Sequence, residues 1–275
     1  MRPKHSWYSK LVRKCHKIRV NLTKPLHPIL DSEIGEKVEE EKRLVIQVPF
    51  GGLGDHLMYS SLPELLWKQK GIKTFISDKS IFRSRAIRDF VWGLNPYVTF
   101  TDEKGWWMYK PLDDFAATFD EYLQRLFHLD GQGGPKVYYE PRIVEDVRGK
   151  NVIDPSFGPS GRANGYYEAE FRKRLIKYIE SSGEDFILVR HSETSIKGDL
   201  ERCIERTFRP ICYDVGTIEE LADVLFSAKQ RYLLFSGAAS LSAAMGLRSI
   251  VVCYWKAVPK FQYAVNTYIE LPGGD

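Results

Sequence analysis

The sequence predicts an α/β protein of two successive domains behind a basic N-terminal arm. Two observations carry that reading. A short apolar run, a glycine-rich turn and an amphipathic helix follow one another at residues 44–69, and the same order returns at residues 151–179. That order opens a parallel sheet covered by helices. The length of 275 residues suits two small α/β domains or one large one, and 43% hydrophobic residues suit a folded chain.

The arm comes first. Residues 1–30 hold Arg2, Lys4, Lys10, Arg13, Lys14, Lys17, Arg19 and Lys24 and no acid, so in a chain of net charge +4 the remainder is net acidic. Leu11, Cys15 and Ile18 share a helical face, and Trp7 accompanies them. Two readings stand: a basic amphipathic segment lying on an anionic membrane surface, or a solvated arm. A nucleic-acid partner is not expected, because the folded remainder has no basic excess to continue the footprint. Pro25 and Pro28 end the segment, and the mostly charged residues after them read as a linker, so arm and linker together occupy residues 1–42.

No apolar run approaches the roughly 18 residues of a membrane span. The N-terminus lacks the apolar core and small-residue cleavage site of a signal peptide. Cys15, Cys203, Cys212 and Cys253 are scattered without a CxxC pair, which predicts neither a metal site nor a disulfide framework. These features predict a cytoplasmic protein, peripheral at the inner face of the plasma membrane if the arm engages it.

The first domain is expected at residues 43–135. Its opening strand, LVIQV, leads into Gly51, Gly52 and Gly54, then into a helix carrying Leu57, Met58, Leu62, Leu65 and Leu66. The loop falls at the carboxyl end of the strand, where open α/β sheets bind ligands. It is not a P-loop, since no Lys-Ser or Lys-Thr follows the glycines. Gly52 and Gly54 supply half of a dinucleotide fingerprint, with Asp78 as its ribose acid, but Leu57 occupies the third glycine position. Asp55 reads either as a helix cap alone or as an ionised carboxylate fit for general-base work, since a helix N-terminus favours the anion. A strand at residues 73–77, a helix at 81–92, a strand at 97–100 and a helix at 115–129 follow. Trp106, Trp107 and Tyr109 line a cleft or pack in the core, core packing being the expectation. Gly131 to Pro135 breaks the chain, and the residues up to 150 cross to the next domain.

The second domain is expected at residues 150–275. NVID is its first strand, followed by a loop, PSFGPSGRANG, that carries Ser156, Ser160 and Arg162, and by a helix at 166–179. FILV is the next strand, with Arg190 and His191 just beyond it. His191 reads as a ligand contact, a general acid or a structural histidine. No GxSxG elbow supports a serine triad. Thr217 and Glu220 have capping-box spacing. A strand at 232–235, a small-residue loop and helix (SGAASLSAAMG) and a strand at 249–254 complete the pattern.

Gly-Gly-Leu-Gly-Asp at residues 51–55, followed by Leu62-Pro63 and Leu65-Leu66, resembles the first motif of the heptosyltransferases of glycosyltransferase family 9. Asn95-Pro96-Tyr97 and the Ser236-Gly237 block add to the resemblance, which spans residues 44–256 in motif order. It implies two Rossmann-like domains facing a cleft, the GT-B arrangement. It also implies an inverting transfer from a nucleotide sugar to a cell-surface glycan or lipid-linked acceptor. Asp55 falls on the family's catalytic base. The donor-binding positions expected, from the resemblance and from their place after the strands, are Gly52, Gly54, Ser156, Arg162, Arg190, His191, Ser236, Gly237 and Ser240. The sequence departs from the family where an aspartate and a histidine of the donor motif fall on Phe235 and Ser240, which puts an ADP-heptose donor in doubt. No metal or cofactor is implied, the nucleotide sugar being a co-substrate. A non-catalytic glycan-assembly or nucleotide-binding role, or a nucleotide-sugar-modifying enzyme, remains the alternative.

Overall fold

Residues 31–42, expected as linker, fold instead into a helix, α1 (Asp31–Glu41), that turns into the first strand. Its charged side chains hide two apolar ones a single turn apart, and Ile34 and Val38 are both buried. Two such residues among eleven give too little amphipathic signal to read from sequence. The structure, a computed structural model, describes residues 31–107, 118–130, 134–157, 166, 168–191, 199–253 and 262–271. The arm at residues 1–30 lies outside them.

The first domain holds a parallel sheet of β1 (Arg43–Ile46), β2 (Lys73–Ser77) and β3 (Val98–Thr101), in that spatial order. Ile46 stands beside Ile76, and Ile76 beside Phe100. On the other side of β1, Trp106 bridges Ile46, its N–H donating to Val45 O at 2.7 Å and its carbonyl accepting from Gln47 at 2.8 Å. Trp106 is therefore core, packed edge-on against Tyr59 and Phe127. Gly105 makes this bridge possible: a Cβ there would stand 2.8 Å from Val45 O, Ile46 C and Gln47 N. Helices α2 (Leu53–Leu57) and α3 (Leu62–Lys70) follow β1. The helix expected over 81–92 is shorter: α4 (Arg85–Arg88) widens into a π turn at Asp89–Gly93. Within the helix expected at 115–129, α5 spans Phe119–Leu126, behind a capping box of Thr118 and Glu121.

The second domain is a six-stranded parallel sheet in the order β6-β5-β4-β7-β8-β9. Its strands are β4 (Asn151–Asp154), β5 (Phe186–His191), β6 (Ile211–Val215), β7 (Gln230–Leu234), β8 (Ile250–Cys253) and β9 (Thr267–Glu270). Counted within the domain this is 3-2-1-4-5-6, the dinucleotide-fold order, and the chain reverses direction across the sheet between β4 and β7. Helices α6 (Ala169–Ser182), α7 (Asp199–Phe208), α8 (Ile218–Ser227) and α9 (Gly237–Ala244) cover the sheet. The capping box expected of Thr217 and Glu220 forms, with Glu220 N–H donating to Thr217 Oγ1 at 3.1 Å.

The crossing segment ties both domains together. Lys136 N–H donates to Ser60 Oγ at 2.8 Å, and Tyr138 and Lys136 both bind Glu64 on α3. Further along, Tyr139 Oη and Arg142 N–H reach Asp223 on α8 at 2.9 and 2.8 Å, and Val144 N–H reaches Ser227 Oγ at 2.7 Å. One apolar cluster runs without a break from Leu44 and Leu57 in the first domain to Ala238 and Leu241 in the second. A smaller one, with Phe171, Leu175 and Ile204, covers the other face of the second sheet.

Candidate active site

The two small-residue motifs, far apart in sequence, meet. A Cβ on Gly54 would stand 3.2 Å from Ser240 Oγ and 3.7 Å from Gly237 Cα. A Cβ on Gly237 would stand 3.2 Å from Leu53 Cβ and 3.5 Å from Gly54 N. The start of α2 in the first domain is thus pressed against the first turn of α9 in the second, at a separation that a larger residue than glycine would crowd. Gly52, Gly54, Ser236, Gly237 and Ser240 share one place.

Asp55 sits in this turn, half-buried, and its Oδ2 accepts the Gly52 N–H at 2.9 Å. A Cβ on Gly52 would lie 2.7 Å from that oxygen, so glycine is what lets the carboxylate fold back. The next residue anchors the turn from beneath. His56 is fully buried, donates from Nε2 to Ile81 O at 2.9 Å, accepts the Trp92 indole N–H on Nδ1 at 2.9 Å, and stacks on Phe82. Burial lowers its pKa to about 4, so it is a neutral imidazole of fixed tautomer. Arg83, exposed, brings its guanidinium within 3.5 Å of the Gly52 Cβ position, beside the Asp55 carboxylate. No sequence pattern pointed to Arg83.

The switch point between β4 and β7 opens toward the same helix end. Phe235 and Ser236 follow β7, and Ser236 caps α9 in an extended conformation with its hydroxyl unused. Tyr166, buried, accepts the Phe235 N–H at 2.9 Å and donates to Val252 O at 3.3 Å, which fixes the turn before Ser236. At the end of β4 stands Asp154, fully buried and not singled out by the sequence. It accepts the Ser156 N–H at 2.9 Å and faces His191 Nε2 at 3.2 Å through both oxygens. Burial acts to raise the Asp154 pKa, but His191 and Ser156 outweigh it and the net shift is down. Burial likewise opposes the His191 cation, but Asp154 prevails and the net shift is up. The residues expected to touch a donor here, Ser156 and His191, are thus both bound to Asp154.

Arg190, expected to meet the donor, is held by two carboxylates: its Nε and Nη2 fork onto Asp214 at 2.7 and 2.8 Å, and Nη1 reaches Glu205 at 3.4 Å. Asp214 is its register partner on β6. Asp78, the ribose acid of the dinucleotide alternative, takes Arg88 at 3.1 Å. Asn95 is structural, its Oδ1 accepting the Tyr97 N–H at 3.0 Å and its Nδ2 donating to Ser60 O at 3.3 Å. Ser160 and Arg162 lie outside the described residues. Among those residues no group of three or more His, Cys, Asp or Glu side chains is placed to hold a metal ion, and no helix is long and apolar enough to cross a membrane.

Two parallel Rossmann-like sheets, joined through glycine turns at their ligand-binding ends, define the GT-B architecture. Solved structures of glycosyltransferases share this fold with the chain. The dodecameric iron-containing heptosyltransferase TibC in complex with ADP-D-beta-D-heptose superposes with a TM-score of 0.54 at 14% identity, over 82% of this chain and 62% of that one. TibC from enterotoxigenic E. coli H10407 superposes with a TM-score of 0.55 at 14% identity, over 81% and 61%. A glycosyl transferase family 9 structure from Veillonella parvula DSM 2008 gives a TM-score of 0.54 at 13% identity, over 84% and 86%. This chain therefore spans about three fifths of the length of TibC. No family model and no curated protein matches the sequence.

Proposed function

We propose that the protein is a glycosyltransferase that moves a sugar from a nucleotide-sugar donor to a hydroxyl of a cell-surface glycan or lipid-linked acceptor, with inversion. One observation carries this reading. The Asp55 carboxylate, held by the Gly52 amide, comes from one domain to the spot where the other presents the N-terminus of α9. The first turn of that helix, with Ser236 and Gly237, suits the diphosphate, since unpaired amides and the helix dipole favour an anion. Asp55 takes the proton of the acceptor hydroxyl, whose oxygen attacks the anomeric carbon opposite the departing diphosphate. Arg162 adds positive charge from the loop after β4, and Arg83 stands on the acceptor side. Asp154 and His191 act beneath the site, fixing the end of β4 and the start of that loop. No metal enters this scheme.

The TibC structure holds ADP-heptose, but Phe235 and Ser240 stand where the family resemblance places a donor aspartate and histidine. The donor here is therefore read as a nucleotide sugar of a different kind. The same two residues favour the second reading, a nucleotide-binding partner without turnover. Residues 1–30, if they engage an anionic surface, would hold a cytoplasmic enzyme beside lipid-linked acceptors.

The test is a thermal-shift screen against nucleotide diphosphates, nucleotide sugars and nicotinamide cofactors, followed by turnover with the donor that binds. A ligand specific for the folded state raises the midpoint by mass action. The expected result is a shift with one nucleotide diphosphate and its sugars. A shift with NAD or NADP alone refutes the transferase reading. Binding without turnover under any acceptor favours the non-catalytic one.

A further inference from the structure

Tyr166 joins the carboxyl ends of three strands in the second domain. It stands where the loop after β4 returns, and its ring packs against Phe157, near where that loop leaves, at 5.3 Å between centroids. It also packs against Phe171 on α6 at 5.0 Å. These contacts bury the ring, which is 1% exposed, and fix the hydroxyl with it. That hydroxyl reaches β7 and β8 together. It accepts the Phe235 N–H at 2.9 Å and donates to Val252 O at 3.3 Å. Leu234 and Val252 are the last register pair of those strands, so the phenol stands where they part.

A phenylalanine would fill the same space, so packing alone does not call for the hydroxyl. What the hydroxyl holds is the backbone of Phe235, one residue before the Ser236 cap of α9. The chain passes there from strand to helix through a single extended residue. A bond to the Phe235 amide fixes the plane of that peptide, and so the direction in which α9 sets out. The first turn of α9 aims its unpaired amides at whatever lies before it. A binding constellation works only when its groups are held within about 0.5 Å of their place. On the other side of Phe157, Ser156 N–H donates to Asp154 Oδ1 at 2.9 Å at the end of β4. One side chain thus ties the turn after β4 to the turn after β7.

We propose that Tyr166 is a positioning residue of the donor site, its hydroxyl aiming the first turn of α9 at the diphosphate of the nucleotide sugar. The inference rests on the nucleotide-sugar reading and adds to it the part that holds the diphosphate site in place. Tyr166 acts through the Phe235 amide and not by contact with the ligand.

The test is calorimetric titration of the wild type, Tyr166→Phe and Ile179→Ala with ADP, UDP and GDP. Ile179 belongs to the same apolar cluster but lies in the last turn of α6, roughly 15 Å along the helix from its start. The wild type is expected to bind one of the three diphosphates. Tyr166→Phe weakens that diphosphate about 5- to 20-fold, the effect of one lost buried hydrogen bond. Ile179→Ala opens a cavity and melts lower than Tyr166→Phe, yet keeps the diphosphate affinity within about twofold. An affinity of Tyr166→Phe within twofold of the wild type overturns the role. So does equal weakening by Ile179→Ala, which makes both effects a general loss of stability. Hydrogen exchange of the wild-type Phe235 amide gives a second reading that needs no variant. Protection is expected without ligand, and exchange at the rate of an open loop overturns the Tyr166 contact. Binding of none of the three diphosphates overturns the nucleotide-sugar reading, and the role with it.

Discussion

Replacing His191 by alanine isolates the buried pair at the end of β4. The substitution leaves Asp154, whose side chain has no solvent exposure, with only Ser156 to hold its charge. Breaking a buried pair by removing one partner costs about 3–5 kcal/mol. Asp154 can escape by taking a proton. With an unfolded pKa of about 3.9, holding it neutral costs about 4 kcal/mol at pH 7 but only about 1.5 kcal/mol at pH 5. The loss in His191→Ala is therefore about 3–4 kcal/mol at pH 7 and about 2 kcal/mol less at pH 5. The wild-type pair behaves oppositely at its two limits. The raised His191 pKa contributes stability that is complete below the unfolded histidine value and lost as pH rises through the folded one. The lowered Asp154 pKa contributes stability present above the unfolded carboxyl value and lost as pH falls through the folded one. Urea unfolding at pH 7 and pH 5 measures this, provided circular dichroism and fluorescence give coincident transitions. An equal loss at both pH values, or under about 1 kcal/mol at pH 7, would refute the buried-pair reasoning.

Asp55→Asn is expected to keep nucleotide affinity and to lower kcat about 10²- to 10⁴-fold, the range of a lost general base; unchanged turnover removes Asp55 from the mechanism. Gly105→Ala places a methyl 2.8 Å from three backbone atoms of the β1 region, so it should cost at least about 2–3 kcal/mol, read from the urea midpoint. Gly54→Ala meets Ser240 Oγ at 3.2 Å and should cost about 1 kcal/mol while weakening donor binding more than it weakens the fold. His56 stays neutral in the fold but charges when unfolded below about pH 6.5. Its lowered pKa of about 4 should therefore remove up to about 3 kcal/mol of stability as pH falls from 6.5 through 4, a slope that His56→Leu abolishes.

Local signals made much of the fold legible. β2 and β4 stand where KTFIS and NVID predicted them, and Thr217 with Glu220 forms the expected cap. What failed locally failed for a physical reason. α1 shows only Ile34 and Val38 to the core, and β6 is an edge strand whose Ile211 is 67% exposed, so neither carries a clear apolar period. Arg190 was legible as the end of a buried strand, but the carboxylates on β6 and α7 that hold it were not. Arg83 and Tyr166 carry no motif at all.

The sequence by itself determined where strands, glycine turns and helices lie, because side-chain period and turn chemistry act within a few residues. It also marked Asp55 and the Ser236-Gly237 block as candidate site residues. Only the tertiary structure decided that the two turns holding them touch, and that Asp154 binds a histidine from the neighbouring strand. Strand order and the partners of buried polar groups follow from how separate elements pack, and no residue's immediate neighbours in the chain specify that packing.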